Sequence, residues 1–128
     1  MTKAAAAGPA ILVVENNELL KFFMVNLVEK VGFVAIQAAN ADEALPILER
    51  RSDIGLMVTN VVMDGSMNGV ELAHTVDNRW PAIKIIVVSG KPGHLEQDLP
   101  TKSLLLEKPY HDEELIFEIR SQFSALAG

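Results

Sequence analysis

Four short apolar segments of this chain are followed by side chains that can bind ions or polar groups. Carboxylate and amide oxygens are ligands for a hard cation such as Mg²⁺, whereas a lysine ammonium group stabilises the oxygens of a phosphoryl group. These residue types therefore suit a small polar site, provided that the fold brings the segments together. The residues are Glu15 and Asn16 after residues 11–14, Asn60 after 56–59, Ser89 after 83–88, and Lys108 after 103–106.

The apolar segments themselves have the pattern of buried strands. Most of them show no polar alternation, which is typical of parallel strands covered by helices on both faces. The stretches between them have helical spacing, with Asn17 as N-cap and Gly32 as stop signal of the first helix. Asn40 and Glu43 are spaced as a capping box for the second, where Pro46 should kink the helix or delay its start. The order strand–helix, repeated five times, predicts an α/β fold with a five-stranded parallel sheet between two helical layers.

Composition and charge narrow the possible functions. The chain has 128 residues, 49% of them hydrophobic, so we expect one globular domain, residues 11–128, after a flexible leader, residues 1–10. The absence of cysteine excludes disulfides, thiolate zinc sites and cysteine nucleophiles. A net charge of −6 makes the chain a poor nonspecific ligand for nucleic acid or an anionic membrane. Because it has neither an apolar run of membrane-spanning length nor a secretory signal, we expect a cytoplasmic protein.

The strand-end residues, taken in order and at their spacing, resemble the receiver domain of bacterial two-component response regulators. This resemblance covers the chain from Ile11 to Leu126. It implies a flavodoxin-like, three-layer doubly wound (βα)5 sandwich with strand order 2-1-3-4-5, and a signalling module rather than an enzyme. The segments that carry it are Ile11–Glu15, Thr59–Met63 with Gly65, Met67–Gly69, Val88–Gly90 and Lys108–Tyr110.

The resemblance also implies roles for individual residues. In the family, an acidic pair after the first strand and an aspartate after the third hold Mg²⁺, and that aspartate accepts a phosphoryl group from a histidine kinase. Glu15 and Asn16 correspond to the acidic pair, and Asn60 corresponds to the phosphoacceptor. Ser89 and Lys108 correspond to the residues that bind the phosphoryl oxygens.

The chain departs from the family pattern at the acceptor and in the acidic pair. Asn60 and Asn16 stand where the family has carboxylates, so Glu15 alone keeps a negative charge. A carboxamide is neutral and weakly nucleophilic, and it cannot form the acyl phosphate that the family uses. We therefore expect no cofactor, with Mg²⁺ binding at Glu15, Asn16 and Asn60 weak or absent, and Lys108 paired directly with Glu15.

Other positions bear on the origin of Asn60. Pro109 matches a proline that the family often holds in a cis peptide, but Leu105 occupies the position of an aromatic switch residue and Asp64 that of a proline. These further departures favour a pseudo-receiver that signals by protein contact. The alternative is an ordinary phosphoaccepting regulator whose aspartate was replaced by Asn60. A remote alternative, a small flavin- or nucleotide-binding protein, requires a phosphate loop after the first strand, where residues 15–18 instead carry two carboxylates.

Two helices are expected to offer a surface for a partner. Phe22 and Val25 lie away from the apolar stripe of the first helix, and Phe117 lies away from that of the last. Because these helices are neighbours in the family, we predict that the three side chains form one exposed patch for a histidine kinase, a phosphotransfer protein or a second copy of the chain. The predicted core stripe of the first helix is Leu20, Phe23, Met24, Leu27, Val28 and Val31.

Overall fold

Strands and helices alternate along the whole fold. The computed structural model describes residues 9–90, 93 and 95–127, with side chains through residue 123. Residues 1–8 of the predicted leader lie outside the described residues, and the first strand begins at Ala10, inside the range assigned to that leader. The elements are β1 (Ala10–Val14), α1 (Glu18–Lys30), β2 (Val34–Ala38), α2 (Ala41–Arg50), β3 (Ile54–Asn60), α3 (Gly69–Arg79), β4 (Lys84–Ser89), α4 (Leu95–Asp98), β5 (Leu104–Glu107) and α5 (Asp112–Ala127).

The five strands form one parallel sheet in the order β2-β1-β3-β4-β5. Two apolar cores lie against the sheet: Leu48 of α2 and Leu72 of α3 belong to one, and Val28 of α1 and Leu115 of α5 belong to the other. The predicted three-layer α/β architecture and its strand order are therefore confirmed. In such a sheet the carboxyl ends of all strands lie at one edge, which is where ligands bind in doubly wound folds.

The helix boundaries follow from side-chain capping. The Asn17 side chain accepts from a backbone N–H of the first turn of α1, and Asn40 does the same for α2. Gly32 ends the first helix with φ of +97°, a conformation that favours glycine. Pro46 lies inside α2, and the helix begins at Ala41 as its cap dictates. The start of the helix is therefore not delayed, and the kink, the other effect expected of Pro46, stays a prediction.

The buried face of α1 differs from the predicted one. Leu20 and Phe23 of the predicted stripe are exposed, whereas Val25, predicted to be exposed, is only 9% exposed and packs in the core. The placement of Val25 in an exposed patch is therefore wrong. Periodicity misjudged the orientation because apolar residues occupy most of the circumference of α1. The buried residues of the helix are Lys21, Met24, Val25 and Val28.

The last helix is closer to expectation. Leu115 and Ile119 are buried, and Phe117 is 65% exposed, as predicted. Phe123 stacks on Phe33 with 4.5 Å between ring centroids. The side chain of Leu126, the last residue that the resemblance covers, lies outside the described residues. Within the described part of the chain, no helix combines the length and apolarity needed to cross a bilayer.

Candidate functional site

The parallel sheet gathers the predicted site residues at the carboxyl ends of its strands. Asn60 ends β3 and pairs in register with Val88, next to Ser89. The backbone N–H of Lys108 donates to the carbonyl oxygen of Ser89 over 2.8 Å, which fixes the chain after β5 beside the end of β4. Glu15 follows β1, and its side chain is buried at 3% exposure. The strand ends thus form one polar cluster.

Asn60 lies at the centre of this cluster with both ends of its carboxamide engaged. Its Oδ1 accepts from the backbone N–H of Val61 at 3.0 Å and from Nζ of Lys108 at 3.5 Å. Its Nδ2 donates to the carbonyl oxygen of Val62 at 3.3 Å. These contacts orient the amide oxygen towards the ammonium group of Lys108.

The residues after β1 are held by other partners. Oε2 of Glu15 accepts from the backbone N–H of Asn17 at 2.9 Å, and Nδ2 of Asn16 donates to Oδ1 of Asp64 at 3.2 Å. Among the described residues, neither Glu15 nor Lys108 belongs to an ion pair. The predicted Lys108–Glu15 pair is therefore wrong, because Glu15 binds the loop before α1 while Lys108 reaches Asn60.

The oxygen donors of this cluster do not fit a magnesium site of the receiver type. The three positions that would supply carboxylates contain Glu15, Asn16 and Asn60, so they provide one negative charge and two amides. Oδ1 of Asn60 also has the ammonium group of Lys108 beside it, which opposes a cation at that oxygen. No group of three carboxylate or imidazole side chains suited to a metal occurs in the part of the chain that the structure describes.

The remaining predicted positions lie next to the cluster. Ser89 is buried at the end of β4, and the Lys108–Pro109 peptide bond is cis. Leu105 pairs in register with Val87 and packs against the core on the α2 and α3 side of the sheet. A leucine there has no ring or hydroxyl that could contact Ser89.

Sequence reasoning missed the part that Gly69 plays in shaping the acceptor loop. The backbone N–H of Gly69 donates to the carbonyl oxygen of Val61 at 2.8 Å. A Cβ atom at Gly69 would lie 2.0 Å from the carbonyl oxygen of Asn60, so only glycine permits this approach. The sequence does contain a pattern that could have identified this position. Asn68 and Glu71 have capping-box spacing, which places Gly69 at the start of α3.

A second missed contact ties the same loop to α2. The carboxylate of Asp42 accepts from the backbone N–H of Ser66 at 3.0 Å and from its hydroxyl group. The side-chain hydrogen bond from Ser66 lowers the pKa of Asp42 below its ordinary value, and the backbone hydrogen bond lowers it further. No motif in the sequence connects these two residues, which lie 24 positions apart.

An apolar groove of about 740 Å³ borders the polar cluster. Phe23 of α1 and Tyr110 after β5 line it, and Glu15 and Lys108 belong to both the groove and the cluster. Burial, with Asp112 and Glu15 nearby, raises the pKa of Tyr110. Phe22, 60% exposed, contacts the Phe23 ring edge to face. Phe117 lines a different depression, together with Glu113, Ile116, Arg120 and Ser121.

Comparisons with known proteins agree with this fold. The family model of the response regulator receiver domain matches residues 11–120. The receiver protein CpdR of Brucella abortus is 29% identical over 118 residues, which cover 90% of this chain and 97% of CpdR. The sensor kinase LuxN of Vibrio harveyi is 26% identical over 80% of this chain, a segment that covers 12% of LuxN.

Solved structures give the same result. A receiver protein from Pseudomonas putida is 30% identical with a TM-score of 0.78, covering 89% of this chain and 97% of that protein. A receiver protein from Sinorhizobium medicae is 20% identical with a TM-score of 0.85. The match covers 92% of this chain and 96% of that protein. With most of the chain matched by the family model and the strand-end cluster in place, this protein belongs to the response regulator receiver domain family.

Proposed function

We propose that this chain is a receiver-type signalling module of a two-component or phosphorelay system that acts by protein contact, without being phosphorylated. The observation that carries the proposal is the acceptor position, where Asn60 holds its Oδ1 between the backbone N–H of Val61 and Nζ of Lys108. The carboxamide has no carboxylate oxygen to attack phosphorus, so no acyl phosphate forms.

The contact between Lys108 and Asn60 supports a site whose side chains have one conformation, without a second, phosphorylated state. In a phosphoaccepting receiver the lysine gains a phosphoryl oxygen as partner, and this gain separates two states of the protein. In this chain the lysine already lies beside the acceptor side chain and has no phosphoryl group to move to. Signalling then depends on whether this protein is bound to its partner, rather than on a covalent change in the protein.

The partner that we propose is a histidine kinase or a phosphotransfer protein. It is supported by the family and by the similarity to a segment of the sensor kinase LuxN. The proposed contact is the groove between α1 and the segment after β5, where exposed side chains such as Phe23 lie beside the polar cluster. Because Glu15 and Lys108 line both features, a partner in the groove also covers the cluster.

The proposal is tested by incubating the chain with acetyl phosphate and Mg²⁺ and measuring its intact mass. We expect no added phosphate on the unaltered chain and little on Asn60→Asp, because Asn16 still lacks a charge. The double variant Asn16→Asp/Asn60→Asp should gain more. Phosphorylation of the unaltered chain on the loop of Asn60 contradicts the proposal, and full phosphorylation of Asn60→Asp alone favours an ordinary receiver with a replaced acceptor.

A further inference from the structure

The outer face of α5 combines two apolar side chains with one charge of each sign. One shallow depression is lined by Glu113, Ile116, Phe117, Arg120 and Ser121. Phe117 is 65% exposed and Ile116 is partly buried, so this face presents apolar surface to a partner. None of these residues lines the groove at α1, so this face is independent of the site described above.

The two charges have no partner within their own helix. A helix pairs opposite charges at spacings of three or four residues, and neither Glu113 nor Arg120 has an opposite charge at those spacings. Neither belongs to an ion pair among the described residues. Arg120 is also the one basic residue in the sequence of α5, whose other charged residues are acidic.

The order of these residues is self-complementary. Glu113 comes three residues before Ile116, and Arg120 comes three residues after Phe117. A two-fold axis between positions 116 and 117 therefore places Glu113 of one copy opposite Arg120 of another, with the apolar pairs in contact at the axis. We propose that this face is a homodimer interface, in which α5 packs antiparallel against α5 of a second copy of this chain.

Charge favours a second copy only in this register. With a net charge of −6 on each chain, two copies repel one another at long range. The antiparallel register offsets the repulsion locally, because it forms two Glu113–Arg120 pairs and buries both Phe117 rings. A single helix pair buries less than the roughly 1,200 Å² typical of stable interfaces, so we expect a weak dimer.

Sedimentation equilibrium of the full chain, from about 10 μM to about 1 mM, tests the proposal. We expect a monomer–dimer equilibrium that Phe117→Ser abolishes. Glu113→Arg and Arg120→Glu should each weaken the dimer about tenfold or more, since each change makes both charge pairs repulsive. An equimolar mixture of these two variants should form a heterodimer, because one copy then carries only acidic and the other only basic residues at the pair positions. The double variant Glu113→Arg/Arg120→Glu should dimerise like the unaltered chain.

Phe22→Ser is the matched control, because it removes an equally exposed ring from α1. It should leave self-association unchanged, and circular dichroism should confirm that every variant is folded. A chain that stays monomeric throughout the concentration range overturns the proposal. So does a dimer that Phe22→Ser dissociates while Phe117→Ser does not, or a mixture of charge variants that fails to associate.

Discussion

Nζ of Lys108 lies 3.5 Å from Oδ1 of Asn60, which is a neutral oxygen. The same amide oxygen accepts from the backbone N–H of Val61, so the acceptor side chain is fixed by its own loop and by the residue after β5. The lysine approaches this neutral oxygen although Glu15 also lies in the cluster and has its own partner in the loop before α1. The cluster at the strand ends therefore contains one carboxylate and one lysine, while Asn16 and Asn60 are neutral.

The first prediction concerns magnesium. The unaltered chain should show no Mg²⁺ binding tighter than about 1 mM, since the site offers one carboxylate and a nearby ammonium group. The double variant Asn16→Asp/Asn60→Asp should bind more tightly, because it adds two charged oxygen ligands. Isothermal titration calorimetry measures both. Sub-millimolar binding by the unaltered chain would show that amide oxygens suffice and contradict the interpretation.

The second prediction concerns the close approach at Gly69. Gly69→Ala should lower the free energy of unfolding by about 1–3 kcal/mol, because the new Cβ forces the acceptor loop to move. Gly90→Ala is the matched control: a Cβ there meets nothing within 4 Å, and its effect should stay within about 0.5 kcal/mol. Urea unfolding of both variants checks the difference. Equal stabilities would mean that the loop moves without cost.

The third prediction concerns the orientation of α1. Val25→Ser should destabilise the chain by about 2–4 kcal/mol, since it removes buried methyl groups and buries a hydroxyl. The same change at Phe22, three residues earlier, should alter stability by about 0.5 kcal/mol or less because that ring is exposed. Thermal unfolding distinguishes the two variants. If Phe22→Ser were the less stable variant, the result would support the orientation of α1 that periodicity predicted.

The fourth prediction concerns partner binding at the α1 groove. Phe23→Ser should keep the chain folded and weaken its binding to a histidine kinase or phosphotransfer protein, because Phe23 lines the groove and is 59% exposed. Phe117→Ser should leave this binding unchanged, since Phe117 does not line this groove. Surface plasmon resonance with an immobilised partner measures both. A larger loss of affinity for Phe117→Ser than for Phe23→Ser would show that the partner binds at α5 instead.

The fifth prediction concerns acid stability. The pKa of Asp42 is lowered on folding, so its hydrogen bonds to Ser66 stabilise the chain above the ordinary value of 3.8 and are lost as the pH falls through the lowered value. Ser66→Ala should raise the pKa of Asp42, as measured by carboxyl-carbon NMR titration. Asp53, whose pKa is lowered by Arg51, should titrate as before. An unchanged pKa of Asp42 would show that its contact with the Ser66 hydroxyl group does not form in solution.

The sequence by itself determined the architecture and the candidate residues at the strand ends. Continuous apolar segments predicted the buried parallel strands, and the chain order required their carboxyl ends to meet at one edge, because parallel strands all point the same way. The replacement of carboxylates by Asn16 and Asn60 was likewise visible in residue types alone.

Tertiary structure decided which contacts those residues make. Apolar side chains surround most of α1, so only packing against the sheet could select Val25 for the core and leave Phe23 exposed. The Lys108–Asn60 contact joins residues 48 positions apart, and the Asp42–Ser66 contact joins residues 24 apart. Local patterns carry no information about such pairs, because the distance between their side chains is set by how separate loops meet above the sheet.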